Sequence, residues 1–203
     1  MTVSKFNTLK TMKIIVWNLK GGQGKTVLSL AIAMLEGAYI VTNDRHSPID
    51  EVIGEDRGLR LKADDPLPEV PDGIDLIYDF GGFPDVRTIE AAQNADFIVM
   101  PIIYESPLEM QVTLNALREI EAYNKNIVVV VNKAKPNDLE RTKDVLADFG
   151  FHYPIFEIKQ STVFSKAVES KKSLQELVDE NPLWRLPYSK PLKQVKNLIT
   201  HIS

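Results

Sequence analysis

The chain has 203 residues, 44% of them hydrophobic, and a formal net charge of −4, which suits one α/β domain with its own core rather than two domains. It contains no cysteine, which excludes thiolate-bound metals and iron–sulfur clusters, and its three histidines, His46, His152 and His201, are too scattered to suggest a metal site. No apolar run reaches the length of a membrane span and residues 1–10 lack the apolar centre of a signal peptide, so a cytoplasmic location without membrane contact is expected.

Residues 1–11 read as an N-terminal tail and 12–203 as the domain. Met12 to Trp17 is a short apolar, β-branched run that predicts a buried strand. Val27 to Leu35 is apolar nearly all round and long enough for a helix. Between them lies Asn18-Leu19-Lys20-Gly21-Gly22-Gln23-Gly24-Lys25-Thr26, a phosphate-binding loop in its required order of strand, glycine turn and helix. Glycines 21, 22 and 24 let the backbone curl until several N–H groups face one anion at a helix N-terminus. Lys25 supplies a charge for the β- and γ-phosphates, and the Thr26 hydroxyl is a candidate Mg²⁺ ligand. Gln23 and Val27 complete the candidate nucleotide contacts of the loop.

Further along, Ala38 to Asn43 predicts a second strand running into Asp44. Residues 44–75 hold prolines 48, 66, 68 and 71 and read as a long connection with one short element around Leu59 to Leu61. Ile74 to Tyr78 predicts a third strand that delivers Asp79 into Phe80-Gly81-Gly82-Phe83-Pro84, where a carboxylate can hold a magnesium-bound water opposite the phosphate loop. After the strand Phe97 to Ile103, Ser106 with Glu109 predicts a capping box, and Pro107 suits the first helical position. The strand Ile127 to Val131 ends at Asn132, whose amide offers a donor and an acceptor to the edge of a base.

Residues 159–203 carry eight Lys/Arg against four acids, which leaves this segment at +4 and everything before it at −8. A basic face on an acidic protein suits a phosphate backbone. Leu192, Val195, Leu198, Ile199 and Ile202 form an apolar stripe expected to pack on the sheet rather than on a membrane. No helix-turn-helix precedes the loop, so sequence-specific reading of DNA within the chain is not expected.

Lys20 is not demanded by the general phosphate-loop motif. With it the loop reads Lys-Gly-Gly-x-Gly-Lys-Thr and resembles the deviant Walker A box of the ParA/MinD family of ATPases. The resemblance extends along most of the chain and implies a single mostly parallel α/β P-loop domain using ATP and Mg²⁺. It implies that Lys20 reaches across a homodimer to the partner's phosphates, that Lys20, Lys25 and Asp44 serve catalysis, with Asp44 orienting the water, and that Thr26 and Asp79 hold the metal. It also places the Gly82 N–H near the γ-phosphate and Asn132 against the base. Tyr104 to Glu109 is similar to a Pro-Ser-Pro-Leu-Asp segment of small plasmid ParA proteins, and Val163 to Glu176 to a region near their DNA-facing edge.

Lys166, Lys171, Lys172 and Lys193 are accordingly the candidate contacts to nonspecific double-stranded DNA. A ParB-like adaptor, association with the nucleoid and a role in plasmid or chromosome partition or cargo positioning are implied in the same way. Thr42, Gly81 and Val27 depart from the family pattern, which usually has an acid, a proline and a second threonine there. Two other classes stay open: a nucleotide-dependent interaction protein with little catalysis, and a metabolic phosphotransferase or ligase on the same fold.

Overall fold

The computed structural model describes residues 11–71, 73–82 and 85–203. The expected tail, apart from Thr11, and Phe83 and Pro84 of the loop after Asp79 lie outside the described residues. Strands β1 (Lys13–Val16), β2 (Tyr39–Thr42), β3 (Gly58–Arg60), β4 (Leu76–Asp79), β5 (Phe97–Ile102), β6 (Ile127–Ala134) and β7 (Ile155–Lys159) form one sheet in the order β3-β2-β4-β1-β5-β6-β7. Every neighbouring pair is parallel, so each connection must cross over a face of the sheet and both faces are covered.

The helices that cover them are α1 (Lys25–Glu36), α2 (Ile49–Ile53), α3 (Val86–Asn94), α4 (Pro107–Glu121), α5 (Asp138–Asp148), α6 (Val163–Ser170), α7 (Leu174–Glu180) and α8 (Pro182–Ile202). Alternation along the strands divides the interior into two cores. Ile14, Val16, Ile40, Ile77, Val99, Val128 and Val130 face α1, α2, α6, α7 and α8. Ile15, Val41, Tyr78, Ile98, Met100 and Val129 face α3, α4 and Leu146 of α5. This is the expected single α/β domain, with three layers.

The chain leaves β1 for β2 on one side and, after β4, crosses to β5 on the other. The crevice at the carboxyl end of β1, where a ligand of an open α/β sheet binds, is therefore occupied by the glycine-rich loop. The short element expected near residues 59–61 is the edge strand β3, while α2 in the same connection gave no advance signal. Strand β7 was also not anticipated from the sequence.

The terminal stripe packs as expected, with Val195 and Leu198 fully buried against the sheet. Helix α8 nevertheless starts ten residues before that stripe, at Pro182, with the Asn181 side chain accepting the Leu183 N–H at 2.9 Å, and it contains Pro187 and Pro191. Prolines at those positions argue against a helix from sequence alone. No helix among the described residues is long and apolar enough to cross a membrane. Replacing Leu198 with Ala should lower the unfolding free energy by about 2–5 kcal/mol in urea denaturation; unchanged stability would contradict the burial of the stripe.

Candidate functional site

Gly22 and Gly24 carry the loop through left-handed backbone, with φ of 75° and 84°, where a side chain would be strained. Curling the loop inward turns some of its carbonyls toward the protein, and buried side-chain amides meet them. Asn132 Nδ2 donates to the Gln23 carbonyl at 2.9 Å and packs so close to Gly24 that a Cβ there would strike it. Asn18, fully buried, donates to the Pro101 carbonyl at 2.9 Å and accepts the Lys20 N–H at 2.9 Å. Gln23 accepts the Ile103 N–H at 2.6 Å. The loop is thereby fastened to the ends of β5 and β6.

Lys25 Nζ donates to the carbonyls of Asn18 at 3.1 Å and Lys20 at 3.4 Å. Burial lowers its pKa, while the carboxylates of Asp79 and Asp44 act in the opposite direction. Opposite it, at the end of β4, burial pushes the Asp79 carboxyl up to about 6, opposed by hydrogen bonds from Thr26 and Ser29 and by the charge of Lys25. Ser29 Oγ donates to Asp79 Oδ1 at 3.1 Å, whereas Asp79 Oδ2 is buried with no hydrogen-bond partner among the described residues.

Such an orphaned carboxylate oxygen beside a helix-start hydroxyl fits a Mg²⁺ site. Thr26 and Asp79 would hold the ion, with water and phosphate completing its shell. Among the described residues, no group of three or more acids or histidines gathers elsewhere into a metal cage.

Asp44 lies at the rim of the same cavity, of about 410 Å³, with Gly21, Gly22, Lys25, Asp79 and Gly82. One of its carboxylate oxygens accepts the His46 N–H at 2.9 Å, so the residue also shapes its own turn. Thr42 donates its hydroxyl to the Asp79 carbonyl at 2.7 Å and accepts the Asp44 N–H at 3.1 Å, tying the ends of β2 and β4. Gly82 lies against the start of the phosphate loop, where a Cβ would run into the Leu19 carbonyl.

A second cavity, of about 370 Å³, adjoins the loop between Val27, Asn132, Lys133, Gln160, Thr162 and Phe164. The amide of Asn132 is engaged with the loop and, through Oδ1, with the Lys133 N–H at 2.9 Å. Asn132 therefore braces the loop and also lines this cavity.

The basic candidates lie along the segment from α6 to α8. Lys171 and Lys193 are exposed, Lys166 sits 3.5 Å above the Trp184 ring, and Lys172 pairs with Glu180 at 2.7 Å. The expected capping box at α4 is half formed. Ser106 Oγ accepts the Glu109 N–H at 3.2 Å, but the Glu109 carboxylate goes to Lys20 at 2.8 Å.

Sequence reasoning missed Ser29 and Asn43. Ser29 stands at helical i+3 from Thr26, a spacing that places both hydroxyls before Asp79. Asn43 accepts the Gly81 N–H at 2.8 Å and donates to Asp85 at 2.8 Å, clipping the loop after β4 to the end of β2. Its position beside Asp44 was the available signal.

The geometry defines an α/β P-loop fold, and comparison with solved structures agrees. McdA of Cyanothece without nucleotide superposes with a TM-score of 0.63 at 14% identity, covering 94% of this chain and 100% of that one. A Cyanothece McdA–ATP complex gives 0.59 at 14%, covering 92% and 96%. MinD of Aquifex aeolicus gives 0.58 at 16%, covering 95% and 98%. No protein-family model and no curated protein sequence matches the chain. The fold is that of the McdA, MinD and ParA ATPases.

The Asp79 carboxyl titrates near 6 in the folded chain against an ordinary 3.8. The stability it contributes is thus full below about 3.8 and lost as pH rises through about 6. Asp79→Asn, which mimics the neutral acid, should be more stable than the nucleotide-free wild type by about 1–3 kcal/mol at pH 8. Chemical denaturation should show that advantage shrinking toward pH 4; an advantage independent of pH would contradict the buried, ionised Asp79.

Proposed function

We propose that the protein is a ParA-type ATPase that forms a homodimer around ATP and Mg²⁺, binds DNA nonspecifically in that state and releases it on hydrolysis. Such a cycle would drive plasmid or chromosome partition or position a cargo, with a ParB-like adaptor stimulating turnover at the nucleoid. One observation carries the reading: the phosphate loop is closed and fastened, and it faces a buried carboxylate oxygen that lacks a partner among the described residues. The ATP held by a structural neighbour of the same fold supports the choice of ligand.

In this reading the loop N–H groups and Lys25 bind and orient the phosphates, replacing the loop carbonyls that Lys25 now contacts. When bound, Mg²⁺ supplies charge neutralisation on the β- and γ-phosphate oxygens. Asp44 positions the attacking water, and Lys20 adds a cation to the partner subunit's phosphates. Val27, at the place of a second threonine, offers the phosphates no hydroxyl. Lys171 and Lys193 are exposed for a phosphate backbone, while Lys166 and Lys172 would exchange Trp184 and Glu180 for it.

A second reading, nucleotide-dependent binding with little turnover, is favoured by the residue pair at the end of β2. Thr42 carries no charge, and one oxygen of Asp44 is engaged by the turn that follows it.

Sedimentation velocity with ATP, with ADP and without nucleotide tests the dimer. The mass should double with Mg²⁺ and ATP in the wild type and stay that of a monomer in Lys20→Ala. A wild-type monomer under all conditions would overturn the sandwich dimer, and a dimer formed equally by Lys20→Ala would remove the lysine from the interface.

A further inference from the structure

Lys20 is not idle in the single chain. Its Nζ donates to Glu105 at 2.7 Å and to Glu109 at 2.8 Å, with the lysine side chain 21% exposed and the two glutamates 50% and 53%. The two acids belong to the loop after β5 and the first turn of α4. They hold the ammonium against its own subunit and raise its pKa by accepting its hydrogen bonds, Glu105 first and then Glu109. The Lys20 backbone is separately pinned by its N–H to Asn18 Oδ1 at 2.9 Å. Release therefore requires only that the side chain swing, with the phosphate loop left in place.

The chain contains its own control for what Glu109 would do without the lysine. Ser106-Pro107-Leu108-Glu109 and Ser173-Leu174-Gln175-Glu176 carry the same Ser-x-x-Glu pattern at the starts of α4 and α7. In α7 the glutamate closes the box, Glu176 accepting both the Ser173 N–H and its hydroxyl at 2.7 Å. In α4 the equivalent carboxylate holds Lys20. Glu109 thus has two alternative partners of comparable chemistry, the ammonium or its own N-cap.

We propose that Glu105 and Glu109 are positioning residues that tether Lys20 to its own subunit in the nucleotide-free chain and hand it to phosphate on assembly, Glu109 then turning back to cap α4 at Ser106. This rests on the reading above that Lys20 acts on nucleotide phosphates. The capping alternative gives the carboxylate a replacement donor as the lysine leaves. The tether lowers the fraction of chains whose Lys20 is free, and nucleotide-driven assembly is weakened by that fraction. Exposed ion pairs are individually weak, so the hold is one that phosphate can overcome.

The full-length protein tests this in two arms. Without nucleotide, Lys20 is acylated with a limiting amine-reactive ester and quantified by peptide mass spectrometry relative to the exposed Lys193. Glu105→Gln with Glu109→Gln should raise the relative rate at Lys20 by about five- to tenfold, each single variant giving part of it. An equal rate overturns the tether. A merely structural role for the glutamates would shift the unfolding midpoint and leave this ratio unmoved.

In the second arm, the ATP concentration at half-maximal dimerisation should fall by about three- to tenfold in the double variant. Faster acylation with an unchanged half-point overturns the claim that the tether limits assembly. Faster acylation in a protein whose wild type never dimerises with ATP instead overturns the reading on which the release step rests.

Discussion

A backbone that points its N–H groups at an anion must turn carbonyls the other way, and in this protein the burial of that second set governs the rest of the site. Water would satisfy those carbonyls in an exposed loop, but here the surroundings are the ends of a seven-stranded sheet. Asn132 from β6 takes over that role for the Gln23 carbonyl and Lys25 for those of Asn18 and Lys20, while the side chains of Asn18 and Gln23 tie the loop to the end of β5; the three amides are nearly or fully excluded from solvent. Their geometry leaves the loop little freedom. Gly24, already required by its left-handed backbone, also cannot carry a side chain beside Asn132, and Gly82, which has no such backbone requirement, is set by its close approach to Leu19.

The same constraint creates the charge arrangement. Holding the loop closed places Lys25 and the start of α1 over the end of β4, where Asp79 is buried beneath Thr26 and Ser29 with one oxygen unmet among the described residues. A buried carboxylate with a raised pKa destabilises the fold at neutral pH, and a cation at that oxygen would reverse the penalty. The site is therefore strained toward its ligands in electrostatic terms. Thr42 moderates this by contributing a neutral hydrogen bond where a second acid beside Asp79 would have added repulsion.

Much of this was legible in the chain because the informative signals were local. The strands that carry the site are continuous apolar runs, and the glycine spacing, Lys25, Thr26 and Asp79 sit at the ends of those runs. The residues that resisted reading depend on contacts between distant segments. Asn132 offered a donor and an acceptor as expected, but what it meets is set by the packing of β6 against the loop, 109 residues away in sequence. Glu109 fitted a capping box, and only the approach of Lys20 in space diverts it. Strand β7 escaped notice because its residues alternate weakly, and the first half of α8 because two prolines obscure a helix that tertiary packing sustains. The +4 charge of residues 159–203 was visible, whereas the engagement of Lys166 by Trp184 and Lys172 by Glu180 was not.

The most direct measurement is steady-state ATP hydrolysis at low salt, with and without random-sequence duplex DNA, beside Lys25→Ala. The account requires slow turnover in the wild type that DNA raises and that Lys25→Ala loses by at least about tenfold, because the loop N–H groups alone would not replace the half-buried ammonium at the transferring phosphoryl group. Equal rates in the two proteins would contradict it, since the fastened loop would then not be where the phosphate reacts.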